Sequence, residues 1–227
     1  SGITAVAYSA YFFLIQTHDP AGLVKMLTIV LNVATVIFLI GKLKERDKRN
    51  MVELLRLNES LILSATTDSL TGAANRHAFL DTAKTLFDNS VRLKRPIAAI
   101  FIDVDYFKQI NDIYGHDFGD IVLSRISRLI AKCLRTTDLS CRYGGDEFVV
   151  LLSIADDKIA EDVAIRIMKE VSEARFDQYP DFRLFVSIGI SFRDPESEEN
   201  MSSLINRADK AMYQAKQNGR NIIVIDK

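Results

Sequence analysis

Arg142-Tyr143-Gly144-Gly145-Asp146-Glu147-Phe148 is the stretch that decides how the chain reads. Two adjacent glycines lie between short apolar runs, Leu139 to Tyr143 before them and Phe148 to Ile154 after. The pattern predicts a β-hairpin with the glycines at the turn, where positive φ costs little. Two carboxylates follow the turn at once, and the missing side chains let a bulky ligand approach the backbone. Such a tip suits a metal-bound polyphosphate; read alone, Gly-Gly-Asp is equally a solvated turn. The rest of the chain separates the two readings.

Working outward, the charges are unevenly placed. The 227 residues carry a net charge of −1, a balance that points to no nucleic-acid polymer as partner. Residues 1–41 contain only Asp19 and Lys25 as charged side chains. Ile3 to Gln16 is apolar but short, and is expected to be the end of an earlier membrane helix. Thr17-His18-Asp19-Pro20 reads as a turn. Ala21 to Gly41 is an apolar run interrupted by Lys25 and Asn32, long enough to span a bilayer as a helix. Lys42, Lys44, Arg46, Lys48 and Arg49 follow it, so the positive-inside rule places its C-terminal side in the cytoplasm. A buried helical hairpin is the alternative. Residues 42–65 continue the helix. Met51, Leu54, Asn58, Leu61 and Ala65 fall on a short heptad seam, which suits a dimer stalk or an amphipathic helix lying on its own domain. Cys133 and Cys141 are expected to be buried thiols in a reducing compartment.

The turn-rich segment Thr66 to Arg76 opens a globular domain, 66–227. Helix is expected from about His77 to Val91. Ile97 to Ile102 is a nearly all-apolar strand, expected at the centre of a sheet and ending in Asp103-Val104-Asp105. A short helix from Tyr106 to Tyr114 leads to a loop, Gly115 to Gly119. A longer helix over Asp120–Leu134 carries Ile121, Val122, Leu123, Ile126, Leu129, Ile130 and Cys133 on its apolar face. After the hairpin come a helix from Asp157 to about Phe176 and a strand from Phe182 to Phe192. A helix from Met201 to about Asn218 and a strand from Asn221 to Ile225 finish the chain. The order predicts an α/β (α+β) domain on one mixed, mainly antiparallel sheet flanked by helices. If the Ile97–Ile102 strand lies beside the hairpin, Asp103, Asp146 and Glu147 converge. Acids so gathered need cations, and oxygen ligands without His or Cys favour Mg²⁺ or Mn²⁺.

Several ordered motifs together resemble the GGDEF-domain diguanylate cyclases. Asp68-x-Leu70-Thr71-Gly72-x-x-Asn75-Arg76 matches the family's entry turn. Asp103-x-Asp105-x-Phe107-Lys108-x-x-Asn111-Asp112, Gly115-His116-x-x-Gly119-Asp120, Gly144-Gly145-Asp146-Glu147-Phe148 and Ala215-Lys216-x-x-Gly219-Arg220-Asn221 follow in order. The resemblance covers about residues 66–227. It implies a palm-like fold, a homodimer, and condensation of two GTP into cyclic di-GMP with two divalent ions per site.

Residue by residue, the resemblance implies that Asp103, the Val104 carbonyl, Asp146 and Glu147 hold metal. Asp146 and Glu147 act at the 3′-hydroxyl, with the choice of base open between them. Asn111 and Asp120 would read guanine. Phe107 and Lys108 open a helix suited to phosphate. Gly144 and Gly145 admit the nucleotide, and Lys216 and Arg220, one helical turn apart, neutralise its β and γ phosphates. His116 lies near the substrate. Arg135 and Asp138, with the Arg-x-x-Asp spacing, imply an inhibitory site for the product, with Arg166 as a second cation. Asp68 is expected to pair with an arginine near the hairpin, Arg142 being one candidate. With the membrane run, the resemblance implies a place in a bacterial inner membrane, catalytic domain in the cytoplasm. A silent nucleotide-sensing module and an ATP cyclase are the competing readings; the intact acids oppose the first and Asp120 the second.

Overall fold

The structure, a computed structural model, describes residues 4–5, 7–9, 11–12 and 20–226. The Thr17–Asp19 part of the expected turn lies outside them, and the Ile3–Gln16 run is described only in part. Contacts divide the chain into two units, residues 1–60 and 61–227.

The first unit is dominated by helix α1, Pro20–Thr66, which continues past residue 60. The apolar run and its charged continuation are thus one helix of 47 residues, and none of them is buried. Among the described residues it is the one helix long and apolar enough to cross a membrane. Thr28 and Thr35 donate their hydroxyls to the carbonyls of Val24 and Leu31, each at 2.8 Å, so neither needs solvent.

The second unit is a six-stranded sheet in the order β1-β3-β4-β2-β5-β6. Its strands are β1 Ala74–Asn75, β2 Ile97–Val104, β3 Leu139–Gly144, β4 Glu147–Ser153, β5 Val186–Arg193 and β6 Ile223–Asp226. The pairs β3–β4, β4–β2 and β2–β5 are antiparallel, while β1–β3 and β5–β6 are parallel. The sheet is mixed and mainly antiparallel, as the order of elements predicts. All of β2 is buried, because helices cover both faces. One face packs Ile100, Ile102, Val150 and Ile188 under helices α4 (His116–Lys132) and α5 (Asp157–Ser172). The other packs Ile97, Phe101, Val149 and Leu151 under α2 (Arg76–Arg92) and α6 (Met201–Gln217). Both cysteines are free and buried.

The structure corrects the sequence reading in four places. The expected loop over Gly115–Gly119 is a single junction residue: α3 (Phe107–Tyr114) ends at Gly115, and α4 begins at His116. Gly115 has φ 85°, a left-handed value that turns the chain without a loop, and Phe118 then anchors the first turn of α4 among Tyr114, Phe176, Tyr179 and Phe182. β5 starts at Val186 rather than Phe182, because Phe182 is spent in that aromatic cluster. Ile121 points outward and is 43% exposed. The two-residue β1 was too short for any periodicity to announce it.

Candidate active site

The hairpin forms where the glycines predict it. β3 runs into Gly144, β4 starts at Glu147, and Gly145 has φ 41° between them. The antiparallel register sets Glu147 directly opposite Asp103 on β2. The Val104 amide donates to the Asp146 carbonyl at 3.3 Å, which ties the turn to the end of β2. Asp103, Val104, Asp146 and Glu147 therefore meet at one edge of the core.

Their electrostatics are strained. Asp103 is 3% exposed, and burial pushes its carboxyl up to about 6, with Asp146 and Glu147 adding to the rise and Lys216 opposing it. Glu147 is also raised, first by burial and then by Asp146 and Asp209. Lys216 Nζ lies 2.6 Å from Asp103 Oδ2, whereas Asp103 Oδ1 is buried without a hydrogen-bond partner. A buried carboxylate oxygen left unpaired beside two further acids is a poor structural solution and a good seat for a hard cation. Among the described residues no three acidic, His or Cys side chains already converge as a ready-made cage. The donor set nonetheless fits a divalent ion that shares the rest of its shell with water and phosphate oxygens, as Mg²⁺ does.

The neighbouring residues line up in part with the sequence expectation. Helix α3 starts at Phe107-Lys108, and no side chain caps its first turn, so those N–H groups are free for an anion. Asn111 and Asp120 sit on the adjoining helices α3 and α4. Asn111 Oδ1 is buried and unpartnered, and it lies where a Cβ on Gly119 would be, at 1.9 Å. Only glycine at 119 leaves Asn111 that position. Asp120 is exposed, as is His116, which opens α4 instead of lying in a loop.

Arg220 departs from expectation. It lies beyond the end of α6, at φ 63°, with its guanidinium 4.7 Å from the Tyr106 ring centroid, so it is not one helical turn from Lys216. Lys216 itself engages Asp103. Two participants were missed. Asp209 bears on Glu147 from α6, and Arg76 stacks on Tyr143 at 4.2 Å while also acting on Glu147. Asp209 lies two helical turns before Lys216, a spacing that puts both on one face and was readable in the sequence.

Away from the hairpin tip, Arg135, Asp138 and Arg166 line one cavity of about 160 Å³ with Ser153, Ile159 and Asp162. Asp138 accepts from the Arg135 amide at 2.9 Å and the Ser153 amide at 3.1 Å, so its carboxylate also fastens the turn. Arg166 Nη2 donates to the Cys133 carbonyl. Asp68 pairs with Arg142 at 3.2 Å, and Arg142 Nε donates to the Gly145 carbonyl at 2.8 Å, so the entry turn braces the hairpin.

A family model described as "Diguanylate cyclase, GGDEF domain" matches residues 65–222. Diguanylate cyclase A of Treponema denticola is 37% identical over 174 residues, covering 75% of this chain and 47% of that protein. Response regulator PleD of Caulobacter vibrioides is 39% identical over 183 residues, covering 78% of this chain and 40% of that protein. The chain thus spans less than half the length of these relatives. The coiled coil and GGDEF domain of DgcB from Caulobacter crescentus, solved in complex with c-di-GMP, has a TM-score of 0.72. It is 30% identical, covering 81% of this chain and 99% of that one. Diguanylate cyclase SiaD from Pseudomonas aeruginosa, solved with its activator SiaC, has a TM-score of 0.68 at 28% identity, covering 98% of this chain and 85% of that one. The family model spans most of the chain, and both relatives exceed 30% identity over three quarters of it, which assigns the chain to the GGDEF-domain family of diguanylate cyclases.

Proposed function

We propose that the chain is a membrane-anchored diguanylate cyclase that condenses two GTP into cyclic di-GMP and releases two pyrophosphates. The observation that carries this reading is Asp103, buried at the end of β2, opposite Glu147, with one oxygen unpaired. Asp103, the Val104 carbonyl, Asp146 and Glu147 would hold two Mg²⁺ (or Mn²⁺). Bound there, the ions would polarise the α-phosphate and lower the pKa of the attacking 3′-hydroxyl. Glu147, its carboxyl raised by burial and by Asp146, is suited to take that hydroxyl's proton, with Asp146 beside it. Each 3′-oxygen then bonds to the α-phosphorus of the other GTP, which loses pyrophosphate. Gly144 and Gly145 leave room for the phosphates at the turn. The uncapped start of α3 at Phe107 and Lys108, together with Lys216 and Arg220, supplies positive potential for them. Asn111 and Asp120 read guanine, whose N1–H and 2-amino group match a carboxylate as adenine does not; His116 borders the base.

One site holds one GTP, so the reaction needs a homodimer. In this reading residues 1–41 are a membrane segment, 42–65 a stalk that aligns two copies through Met51, Leu54 and Leu61, and 66–227 the catalytic domain. The basic residues after Gly41 put that domain in the cytoplasm, under a bacterial inner membrane. Arg135, Asp138 and Arg166 form an inhibitory site for the product. Its support is their shared cavity, where Asp138 accepts two backbone amides and the Ser153 hydroxyl and still keeps a lone pair for a ligand donor.

The decisive experiment incubates the full chain with GTP and Mg²⁺ and identifies the product by mass. Cyclic di-GMP is expected, and unconverted GTP would overturn the reading. Titrating product against initial rate should inhibit the native chain non-competitively with GTP. Arg135→Ala should keep the activity and lose the inhibition.

A further inference from the structure

Asp105 is 4% exposed, two residues past Asp103, and is absorbed by none of the roles above. Its carboxylate forms no ion pair among the described residues. Oδ1 accepts the Ser187 hydroxyl of β5 at 2.7 Å, and Oδ2 accepts the backbone amide of Asn221 at 3.0 Å. Its own amide donates to the Phe185 carbonyl at 3.0 Å. Burying an acid on two neutral donors is costly, so the contact must secure something else. Around it three non-glycine residues take left-handed backbone: Tyr106 at φ 58°, Arg220 at φ 63° and Asn221 at φ 48°. Such conformations persist only where the surroundings fix them, and they gather at working sites.

The contacts close a ring. Asp105 precedes Tyr106, the Tyr106 ring carries the Arg220 guanidinium at 4.7 Å, Arg220 precedes Asn221, and the Asn221 amide returns to Asp105. The Arg220 amide is held in turn by the Ala215 carbonyl at 3.0 Å, at the end of α6. One carboxylate thereby locks the end of β2, the start of α3 and the α6–β6 turn into a single corner.

We propose that Asp105 is a positioning residue for GTP, acting through Arg220: it sets the left-handed turn that presents the guanidinium to the phosphates. This rests on the reading of Arg220 as a phosphate-binding residue. Asp105 touches no reacting atom. Replacing it with Ala removes both acceptors, so the Asn221 and Ser187 contacts are lost together.

The test is a double-mutant cycle on the full chain, reading by calorimetry with Mg²⁺ present the affinity for 3′-deoxy-GTP, which lacks the attacking hydroxyl, and kcat at saturating GTP. Arg220→Ala should weaken affinity about tenfold. Asp105→Ala should weaken it by a similar factor and leave kcat within about threefold of wild type. The double variant should be no more than about threefold weaker than Arg220→Ala alone. Additive losses, or a fall in kcat with unchanged affinity, would make Asp105 merely structural and overturn the proposal. Arg220→Ala binding like wild type would remove the phosphate role of Arg220 and the proposal with it. A wild type that binds GTP without forming product would sink the cyclase reading alone, since affinity still decides Asp105. If Asp105→Ala does not fold, Ser187→Ala keeps the acid and removes one donor. It should weaken affinity about threefold, and not in the Arg220→Ala background; an unchanged affinity would overturn the proposal.

Discussion

The first half of helix α1, residues 21–41, and strand β2 are both nearly continuous apolar runs, and their fates are opposite. On α1, Leu31 is 68% exposed and Ile37 53%, and no residue is buried. On β2, Ile97, Ile100 and Ile102 are at 0%. The difference is in what each run is made to face. A helix satisfies its own backbone and can remain apolar all round, which suits a lipid or a second helix. A strand cannot satisfy its backbone alone, so β2 is flanked by β4 and β5 and covered by helices on both faces. That enclosure is what makes the acid at the end of β2 expensive and useful.

The comparison is broken most severely by removing the acid. Asp103→Asn should lower cyclic di-GMP formation by several orders of magnitude while circular dichroism stays unchanged. Near-normal turnover would show that burial at the end of β2 carries no chemistry.

Next in size is packing. Ile100→Ala, in the enclosed run, should destabilise the second unit by about 3–4 kcal/mol in denaturant unfolding. Leu31→Ala, in the exposed run, should change that transition by less than about 0.5 kcal/mol. Equal effects would mean that α1 is packed against something in solution.

The third prediction is a pH dependence. The folded-state carboxyl of Asp103 is raised to about 6 from 3.8, so between those values the folded chain binds the extra proton. Stability must then fall as pH rises through that window. The gap corresponds to at most about 3 kcal/mol, at about 1.36 kcal/mol per pH unit. In metal-free buffer Asp103→Asn should therefore grow more stable relative to wild type from pH 4 to pH 7. Mg²⁺ should narrow the difference. A constant difference across pH would remove the strain assigned to this site.

The smallest effect concerns the brace behind the hairpin. Burial raises the Asp68 carboxyl, but the Thr71 hydroxyl and amide and the Arg142 guanidinium outweigh it and hold it below 3.8. A depressed value gives stability that is present above 3.8 and lost as pH falls through the folded value. Asp68→Ala should cost about 1–2 kcal/mol at pH 7, and the cost should vanish in strong acid. A loss that persists unchanged at low pH would point to packing instead of charge.

Much of this was legible because periodicity and glycine placement are local. The hairpin, the central β2 and the amphipathic α4 and α5 follow from which residues alternate and where positive φ is cheap. The two-residue β1 carries no pattern. The start of α4 was hidden because Gly115 and Phe118 look like loop and core in turn, and only the aromatic cluster shows that one residue suffices to connect two helices. The pairing of Asp68 with Arg142 was foreseen as one candidate, since a turn acid beside a hairpin arginine needs a partner. The part of Asp209 was missed because its effect on Glu147 crosses from α6 to the hairpin.

By itself the sequence determined the order of elements apart from β1, the family motifs and the identity of the acids, because each is written in spacing along the chain. The tertiary structure alone decided that Asp103 is buried with an unpaired oxygen and that Lys216 engages it. It alone decided that Arg220 leaves the helix to lie on Tyr106, and that Asp105 closes the corner beneath them. Those are contacts between residues remote in sequence. Their energies depend on burial and angle, which no residue carries by itself.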